Sequence, residues 1–228
     1  MNQEMYAHLS DSRNCTVSKC KFHGKDTVGA ALKIDGSKSK DNMIEDSDWS
    51  NLTYSEGSGG EPLRLENSRV SHLLFLNTIV RRCTFKELSA DVETISIKSC
   101  GNIIENCRHE SCKSSMVIRH GHTNTIHDNE FIGEGGIRVY GKDNKILRNR
   151  FKGNKSTRFP PLTLVNGNTK NEPNEFASGS CRGHAAYPQV RNNEISGNAF
   201  DNCKNCVIWG RETLERSSPK PYSSKTIK

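Results

Sequence analysis

The sequence predicts an all-β protein whose chain winds into a single-stranded parallel β-helix, also called a β-solenoid. One pattern occurs seven times in the 228 residues: an aliphatic residue, then Asn, Cys or Ser three positions later, then in most copies an aromatic residue two positions further. Such repeats indicate stacked coils, because each coil can bury its apolar face only against its neighbours. The seven copies are Val17/Cys20/Phe22, Ile44/Ser47/Trp49, Val80/Cys83/Phe85, Ile104/Cys107/His109, Ile126/Asn129/Phe131, Ile146/Asn149/Phe151 and Ile195/Asn198/Phe200.

The distance between successive copies estimates the length of one coil. The intervals are 27, 36, 24, 22, 20 and 49 residues, and the three shortest are typical of one coil of a parallel β-solenoid. The last interval is long enough for two coils, and we predict that Leu162-Thr163-Leu164 carries one of them. In a stack of coils, Asn can bond to the turn backbone above and below it, and Cys packs as a small hydrophobic residue.

Composition fits one thin domain over residues 1–228. A hydrophobic content of 32% is low for a two-layer globule but sufficient for a solenoid core. No stretch approaches the roughly 18 consecutive apolar residues of a membrane span. No signal peptide is visible in residues 1–10, which either cap the solenoid or are simply where the chain starts. Residues 212–228 are predicted to form an irregular tail.

The segments between the repeats alternate between compact coils and longer loops. Residues 11–50 are predicted to form two coils around a polar loop, and 51–60 a loose segment rich in Ser and Gly. Compact coils follow over 61–154, and 155–189 are again rich in loops. Short apolar and β-branched runs predict strands; they lie at 63–65, 94–97, 116–118 and 136–139.

The nine cysteines do not suggest a disulfide framework. Their number is odd, and Cys20, Cys83 and Cys107 occupy the middle position of the repeat. We expect mostly free, buried thiols and leave the pair Cys203/Cys206 open. This pair has the spacing of zinc ligands, but no second Cys or His pair accompanies it.

Positive charge gives the first functional indication. The formal net charge is +7, and Lys33, Arg64, Lys98, Arg119 and Arg138 lie within or beside strand candidates. Lys98 to Arg119 spans 21 residues and Arg119 to Arg138 spans 19, each close to one coil, so the three side chains could form a column. A column of cations favours a linear polyanion as partner. The alternative is that these charges only cover a solvated sheet.

Two carboxylates precede the central lysine. Asp91 and Glu93 are two residues apart, which places them on one face of a strand, and they offer oxygen ligands to a hard cation such as Ca²⁺. Lys98 follows five residues after Glu93, and the segment Arg119-His-Gly-His122 comes one coil later. We therefore expect a carboxylate pair, a lysine and an arginine to meet on adjacent coils.

These residues lie in motifs that resemble those of polysaccharide lyase family 6, which contains alginate lyases and chondroitinase B-type dermatan lyases. The central motifs are Glu93-Thr-Ile-Ser-Ile-Lys98-Ser, Ile118-Arg119-His-Gly and Gly135-Gly-Ile-Arg138. The resemblance extends over nearly the whole chain through Phe22-His-Gly-Lys25, Gly59-Gly-Glu61-Pro-Leu-Arg-Leu65 and Pro161-Leu-Thr-Leu-Val-Asn-Gly167. The family fold is a right-handed parallel β-helix, in agreement with the repeats.

The resemblance implies roles for individual residues. It makes Lys98 the Brønsted base and Arg119 its catalytic partner, and it places Asp91 and Glu93 at the two acidic positions that hold Ca²⁺. The first of these positions is commonly Glu in the family. The third metal ligand, an Asn in the family, has no clear match here, and Glu61 and Ser58 are the nearest residues.

The implied reaction explains why these groups occur together. A lyase removes the proton on C5 of a uronate and expels the sugar linked at O4, so a cation must stabilise the charge that develops beside the carboxylate. Lys98 must be neutral to accept the proton, and nearby Arg119 and a bound cation would both lower its pKa. A guanidinium hardly deprotonates, so we expect Arg119 to stabilise charge while water or another group supplies the proton to O4.

Further residues are candidates for substrate binding. Arg138 is expected to bind the carboxylate of a neighbouring sugar, and Arg64 to extend the cationic groove. His120 and His122 could line the cleft or supply the proton, and Tyr140 could stack on a sugar or deliver a proton. For each of them the alternative is an ordinary solvated or packed side chain.

The sequence therefore predicts a lyase that acts by β-elimination on an anionic polysaccharide, with alginate as the leading substrate. The alternatives are dermatan or chondroitin sulfate with the same chemistry, and a non-catalytic glycan-binding solenoid. We expect Ca²⁺ as cofactor, a monomer, and no nucleic acid or membrane as partner. The substrate class implies a secreted or periplasmic protein.

Overall fold

The computed structural model describes residues 4–54, 59–66, 74–166 and 187–212, and these residues form 22 strands arranged in three parallel sheets. Sheet A has eight strands: β1 Ala7–Ser10, β4 Leu32–Asp35, β7 Leu63–Leu65, β10 Glu93–Ile97, β13 Ser115–Ile118, β16 Ile137–Val139, β19 Leu162–Asn166 and β22 Val207–Glu212. Sheet B has seven: β2 Thr16–Ser18, β5 Met43–Glu45, β8 Ile79–Arg81, β11 Ile103–Glu105, β14 Thr125–His127, β17 Lys145–Leu147 and β20 Glu194–Ser196. Sheet C also has seven: β3 Lys21–His23, β6 Asp48–Ser50, β9 Thr84–Lys86, β12 Arg108–Glu110, β15 Glu130–Ile132, β18 Arg150–Lys152 and β21 Ala199–Asp201.

Each coil contributes one strand to each sheet in the order A, B, C. Strand β10 pairs in parallel with β7 on one side and β13 on the other, three strands away along the chain in each direction. The aliphatic member of every repeat is the central residue of a sheet B strand, and the third member is the central residue of a sheet C strand. The predicted β-solenoid is confirmed, and so are strands at all four predicted positions.

One expectation about the coils is wrong. The interval of 49 residues between Ile146 and Ile195 was expected to hold two coils, but β17 pairs directly with β20, with Ile146 opposite Ile195. The interval is therefore a single coil with a long insertion, and residues 167–186 of it lie outside the described part. Leu162-Thr163-Leu164 does form a strand, β19, which is the sheet A strand of this enlarged coil.

The interior contains a continuous stack of aromatic rings contributed by sheet C. Its centroids are 4.7 Å apart between Phe85 and His109 and 4.5 Å apart between His109 and Phe131, and the rings are nearly parallel. Such pairs contribute about 0.5–1.5 kcal/mol each beyond the burial of their area. The complete stack is Phe22, Trp49, Phe85, His109, Phe131, Phe151 and Phe200.

Two polar ladders flank sheet B. In the ladder predicted from the repeats, the Oδ1 of Asn129 accepts from the backbone N–H of Cys107 at 2.9 Å, and its Nδ2 donates to the carbonyl of Ile104. A second ladder, which the repeat pattern does not include, lies on the other side of sheet B and contains Asn102, Asn124, Asn144 and Asn193. Both ladders satisfy buried backbone groups at the turns.

The cysteines and the ends of the chain complete the description. All eight cysteines in the described part are free thiols, among them Cys203 and Cys206, while Cys181 lies outside it. No helix among the described residues is long and apolar enough to cross a membrane. The first strand begins at Ala7, within the segment expected to cap the solenoid, and the last ends at Glu212. Most of the expected irregular tail, 213–228, is outside the described residues.

Candidate active site on the outer face of sheet A

Most of the predicted site residues lie on the outer face of sheet A. Residues alternate between the two faces of a strand, so Ile95 and Ile97 of β10 enter the core, while Ser96 and the following Lys98 face outward. A bulge between Glu93 and Ile95 shifts the register of β10. In a regular strand, residues five positions apart, such as Glu93 and Lys98, lie on opposite faces. The extra residue in the bulge brings these two to the same face.

The predicted neighbours on adjacent coils are confirmed. Lys98 follows Ile97, Arg119 follows Ile118, and these two isoleucines are paired between β10 and β13. The backbone N–H of Arg119 donates to the carbonyl of Ile97 at 2.7 Å. Glycine is required in the turn after Arg119, because a Cβ on Gly121 would lie 1.9 Å from the carbonyl oxygen of Ser99.

The third member of this column differs from the prediction. Arg138 was expected to continue the column of Lys98 and Arg119, but it pairs with Val117 in the middle of β16. Tyr140, which follows Val139, continues the column instead. Arg138 belongs to the adjacent outward column, which also contains Arg64 and Lys33.

Glu61 connects the lysine to the preceding coil. Its Oε1 accepts from Arg64 Nε at 3.1 Å, its Oε2 accepts from Arg64 Nη2, and Lys98 Nζ lies 3.4 Å from Oε1. Burial alone would raise the pKa of Glu61, but Lys98 and Arg64 outweigh it and hold this pKa at about 2. Arg64 is therefore part of the site, but it is buried and engaged by Glu61.

Glu93 connects the lysine coil to the two following coils. Its Oε1 is 3.2 Å from Nη1 of Arg119 and 3.5 Å from Nη2 of Arg138, and its Oε2 accepts from the hydroxyl of Ser96. The side chain of Glu93 is only 4% exposed, whereas Arg119 is 20% and Arg138 30% exposed. The two arginines are therefore the cations that reach solvent here.

Lys98 lies in an environment that disfavours its charged form. Its side chain is 5% exposed, and burial lowers its pKa below the ordinary value. Glu61 and Glu93 oppose this effect, while Arg64 and Arg119 add to it, and the net shift is downward. A lysine with a lowered pKa is available in its neutral form at lower pH, as a proton acceptor must be.

Asp91 bonds to backbone amides. Its Oδ2 accepts from the N–H groups of Gly59 at 2.7 Å and Gly60 at 3.3 Å, and its Oδ1 accepts from the N–H of Glu93 at 3.1 Å. A Cβ on Gly60 would lie 2.8 Å from the carbonyl oxygen of Ala90, so the segment can approach this closely only as glycine. Burial and the neighbouring charges of Glu61 and Glu93 raise the pKa of Asp91 to about 6.

The three expected calcium ligands do not fit a metal ion as they are arranged. Asp91 uses both oxygens on backbone amides, Glu61 is engaged by Arg64 and Lys98, and Glu93 is engaged by Arg119, Arg138 and Ser96. Within the ranges that the structure describes, no three His, Cys, Asp or Glu side chains are grouped to hold a metal. Ser58 lies outside those ranges. The resemblance predicts calcium, but in this arrangement the three carboxylates are engaged by cations, a hydroxyl and backbone amides.

The two histidines after Arg119 lie in different surroundings. The ring of His120 stacks on Tyr187, with 5.6 Å between the centroids. His122 is buried in the turn that leads to sheet B. Its ring Nδ1 accepts from the backbone N–H of Lys142 at 3.1 Å, and its backbone N–H donates to the sulfur of Cys100. His120 thus lies beside the site, and His122 bonds to the turn.

Tyr187 is a site residue that the sequence analysis missed. Its hydroxyl oxygen accepts from Nη2 of Arg119 at 2.7 Å, and its ring stacks on Tyr140 with centroids 4.7 Å apart. Tyr140 itself is buried, which raises its pKa to about 12. Tyr187 follows a long insertion that carries no repeat, so no signal in the sequence could place it next to Arg119.

Comparison with known proteins agrees with this architecture. The family model described as Chondroitinase B matches residues 2–212. A mannuronic acid specific polysaccharide family 6 lyase from human gut microbiota is similar, with TM-score 0.76 and 25% identity over 92% of this chain and 47% of that chain. A search of curated protein sequences finds no significant match.

Two further solved structures share the fold. An alginate lyase of the same family, in complex with a trisaccharide, has TM-score 0.75 and 17% identity over 88% of this chain and 46% of that chain. A family 6 polysaccharide lyase from Pseudopedobacter saltans has TM-score 0.64 and 19% identity over 83% of this chain and 49% of that chain. The chain thus spans about half the length of these structures. Since the family model covers almost all of the described fold, which is a right-handed parallel β-helix, the chain belongs to the Chondroitinase B family of polysaccharide lyases, the family 6 lyases that its motifs resemble.

Proposed function

We propose that this chain cleaves a uronate polymer by β-elimination, with alginate as the leading substrate. The observation that carries the proposal is the buried Lys98, whose pKa is lowered, next to Arg119 on the following coil. A neutral amine beside a fixed guanidinium is suited to removing a weakly acidic C–H while the adjacent carboxylate is held by positive charge.

The proposed steps use only residues of this chain. Arg119 and Arg138, the partly exposed cations of the site, receive the carboxylate of the sugar to be cleaved. Lys98 Nζ takes the C5 proton, the electrons of the C–H bond form a double bond between C4 and C5, and the bond from C4 to O4 breaks. The departing O4 then takes up a proton from water. Glu61 and Glu93 hold the cations in position.

Alginate is favoured as substrate by the names of the solved relatives, which include an alginate lyase and a mannuronic acid specific lyase. Dermatan or chondroitin sulfate is the second candidate, because the matching family model is described as Chondroitinase B. The test is to incubate the chain with alginate, its mannuronate and guluronate blocks, dermatan sulfate and chondroitin sulfate, and to follow the ultraviolet absorbance of the unsaturated product. Absence of product from every polymer would leave the non-catalytic glycan-binding solenoid as the better proposal.

The substrate class also leads us to propose a secreted or periplasmic location, because these polymers lie outside the cytoplasm. A monomer is proposed as the working state. Fractionation of the producing cells and light scattering of the purified protein test the two points.

A further inference from the structure

A groove of about 850 Å³ lies at the turns that connect sheet C to sheet A. These turns are at the opposite ends of the sheet A strands from Lys98 and Arg119. The lining includes Tyr54, Val92, Lys113, Glu134, Lys155 and Arg158. None of these six residues takes part in the elimination proposed above, so the groove needs an explanation of its own.

The lengths of the turns give the groove its shape. Two neighbouring coils have turns of only four residues, 111–114 and 133–136, whereas the turns on either side, 87–92 and 153–161, are longer. Gly135 permits the second short turn, because its φ is 97° and a Cβ would lie 2.7 Å from the carbonyl oxygen of Ser114. The short turns thus form a floor two coils wide, roughly 10 Å, between two higher walls. A trough of this width can hold one polysaccharide chain.

The wall formed by 153–161 is held in place by Asn154, which is buried. Its Nδ2 donates to the carbonyl of Gly135 at 2.7 Å and to the carbonyl of Phe159 at 2.9 Å. Its Oδ1 accepts from the backbone N–H of Ser156 at 2.9 Å. The wall is therefore bonded both to itself and to the floor, and its side chains are presented from a fixed backbone.

Three exposed cations line the groove, Lys113 on the floor and Lys155 and Arg158 on this wall. The guanidinium carbon of Arg158 lies 5.1 Å from the centre of the Phe159 ring, and Nζ of Lys155 donates to Oδ1 of Asn202 at 2.6 Å. Within the described ranges, Lys113 and Arg158 form no ion pair with a carboxylate. Their charges are therefore available to an anionic ligand.

Two acidic residues also border the groove and narrow the choice of ligand. Glu134 is exposed on the floor, one coil after Lys113. Asp91 lies at the side, where its Oδ2 accepts from the backbone N–H groups of Gly59 and Gly60. Three cations thus exceed two carboxylates, and the carboxylates can accept hydrogen bonds from hydroxyl groups. A uronate polymer carries both carboxylates and hydroxyls, so it fits this mixture better than a simple inorganic anion does.

The floor of the groove leads towards the catalytic residues. The turn 111–114 continues into β13, which Arg119 follows, and the turn 133–136 continues into β16, which contains Arg138. Arg119 comes six positions after Lys113. In an extended strand this is about 20 Å, or about four linked sugars. A chain lying in the groove can therefore continue across the outer face of sheet A to the two arginines.

We propose that the groove is a remote binding site for the anionic polysaccharide, in which Lys113, Lys155 and Arg158 hold a uronate about four sugars away from the catalytic pair; this rests on the substrate class proposed above. The groove contributes affinity and takes no part in the chemistry. Short oligosaccharides cannot reach from Lys98 to the groove, so only longer chains gain affinity from it.

The test compares the double variant Lys113→Ala/Arg158→Ala with wild type on an octasaccharide and a trisaccharide of alginate. KM for the octasaccharide should rise about tenfold, because contacts of two cations with carboxylates are lost. KM for the trisaccharide and kcat for both should stay as in wild type. The matched control, Lys145→Ala/Arg150→Ala, removes the same charge from exposed positions on sheets B and C and should change neither KM.

A second variant tests the groove in the opposite direction. Glu134→Gln removes a negative charge from the floor, so it should lower KM for the octasaccharide. Binding isotherms of the octasaccharide, recorded in the Lys98→Ala background to prevent cleavage, measure the affinity of the groove separately from turnover.

The outcomes separate the groove from the lyase function. If wild type cleaves no polymer but the double substitution still weakens octasaccharide binding, the lyase function falls and the groove stands. Octasaccharide binding that the double substitution does not weaken overturns the groove, whether or not wild type cleaves a polymer. An equal rise of KM for both oligosaccharides, or an equal rise in the control, also overturns it. The same holds if Glu134→Gln weakens octasaccharide binding.

Discussion

Arg119 lies directly beside Lys98 on the next coil, because each residue follows the last position of a sheet A strand and the two strand ends, Ile118 and Ile97, are paired. The lysine is 5% exposed and the arginine 20%. Parallel stacking thus places a buried amine next to a cation that reaches solvent.

Lys98→Ala should lower kcat on the preferred polymer at least about 100-fold and leave polymer binding within a few-fold of wild type. The amine is the proposed proton acceptor, whereas Arg119 and Arg138 are the partly exposed cations proposed to hold the substrate. Initial rates and a binding isotherm measure the two effects. Lys145→Ala, an exposed lysine of sheet B, is the matched control, and an active Lys98→Ala would rule out Lys98 as the base.

Arg138→Ala should affect substrate binding, whereas Arg64→Ala should affect the stability of the fold. Arg138 is partly exposed and proposed to hold a sugar carboxylate, so its loss should raise KM about tenfold with a smaller effect on kcat. Arg64 is buried against Glu61, so its loss should lower the free energy of unfolding by about 3 kcal/mol. Steady-state kinetics and urea unfolding separate the two. A stable Arg64→Ala variant with a raised KM would restore Arg64 as a substrate ligand.

Removal of calcium with a chelator should leave turnover unchanged. The carboxylates expected to bind the ion are occupied by Arg64, Lys98, Arg119, Arg138 and backbone amides. Rates are compared before and after dialysis against the chelator, with magnesium and calcium added back separately. A loss that calcium alone restores would show that these contacts rearrange around a bound ion.

His109→Phe should stabilise the protein in mild acid. Burial lowers the pKa of His109 to about 3, below the unfolded value of about 6.5, so the unfolded chain takes up a proton first as pH falls. Stability contributed by neutral His109 is therefore lost from about pH 6.5 downward, by about 2 kcal/mol at pH 5. Phe extends the stack between Phe85 and Phe131 and removes this loss.

Urea unfolding at pH 7 and pH 5 measures the effect. Phe131→His is the reciprocal variant, which should add a second loss of stability over the same pH range. A wild type and His109→Phe pair with the same pH dependence would contradict a neutral buried histidine.

Asn129→Ala should lower the free energy of unfolding by about 2–4 kcal/mol, because it leaves the buried N–H of Cys107 and the carbonyl of Ile104 without their partner. Asn129→Ser, which introduces the residue type found at Ser47 in the same column, should cost less because its hydroxyl can still accept from Cys107. Thermal unfolding of both variants tests the order. Equal losses would indicate that the acceptor at this position contributes little.

Much of the site could be predicted because periodicity carries three-dimensional information in a solenoid. Once a coil takes about twenty residues, Lys98 and Arg119 must be neighbours, and the repeat alone locates the columns of Asn and aromatic residues. The face of the strand on which a single side chain lies is harder to predict from the sequence than the columns are. A bulge of one residue in β10 reverses which later positions face Glu93, and the sequence contains no clear mark of it.

The sequence by itself determined the solenoid, its core columns and the adjacency of the lysine and arginine, because these depend on spacing along the chain. Only the tertiary structure decided that Tyr140 rather than Arg138 continues the column, that the carboxylates pair with cations and backbone amides, and that Tyr187 bonds to Arg119 across 68 residues. The physical reason is that these contacts depend on strand register and on a long insertion, and neither follows the repeat.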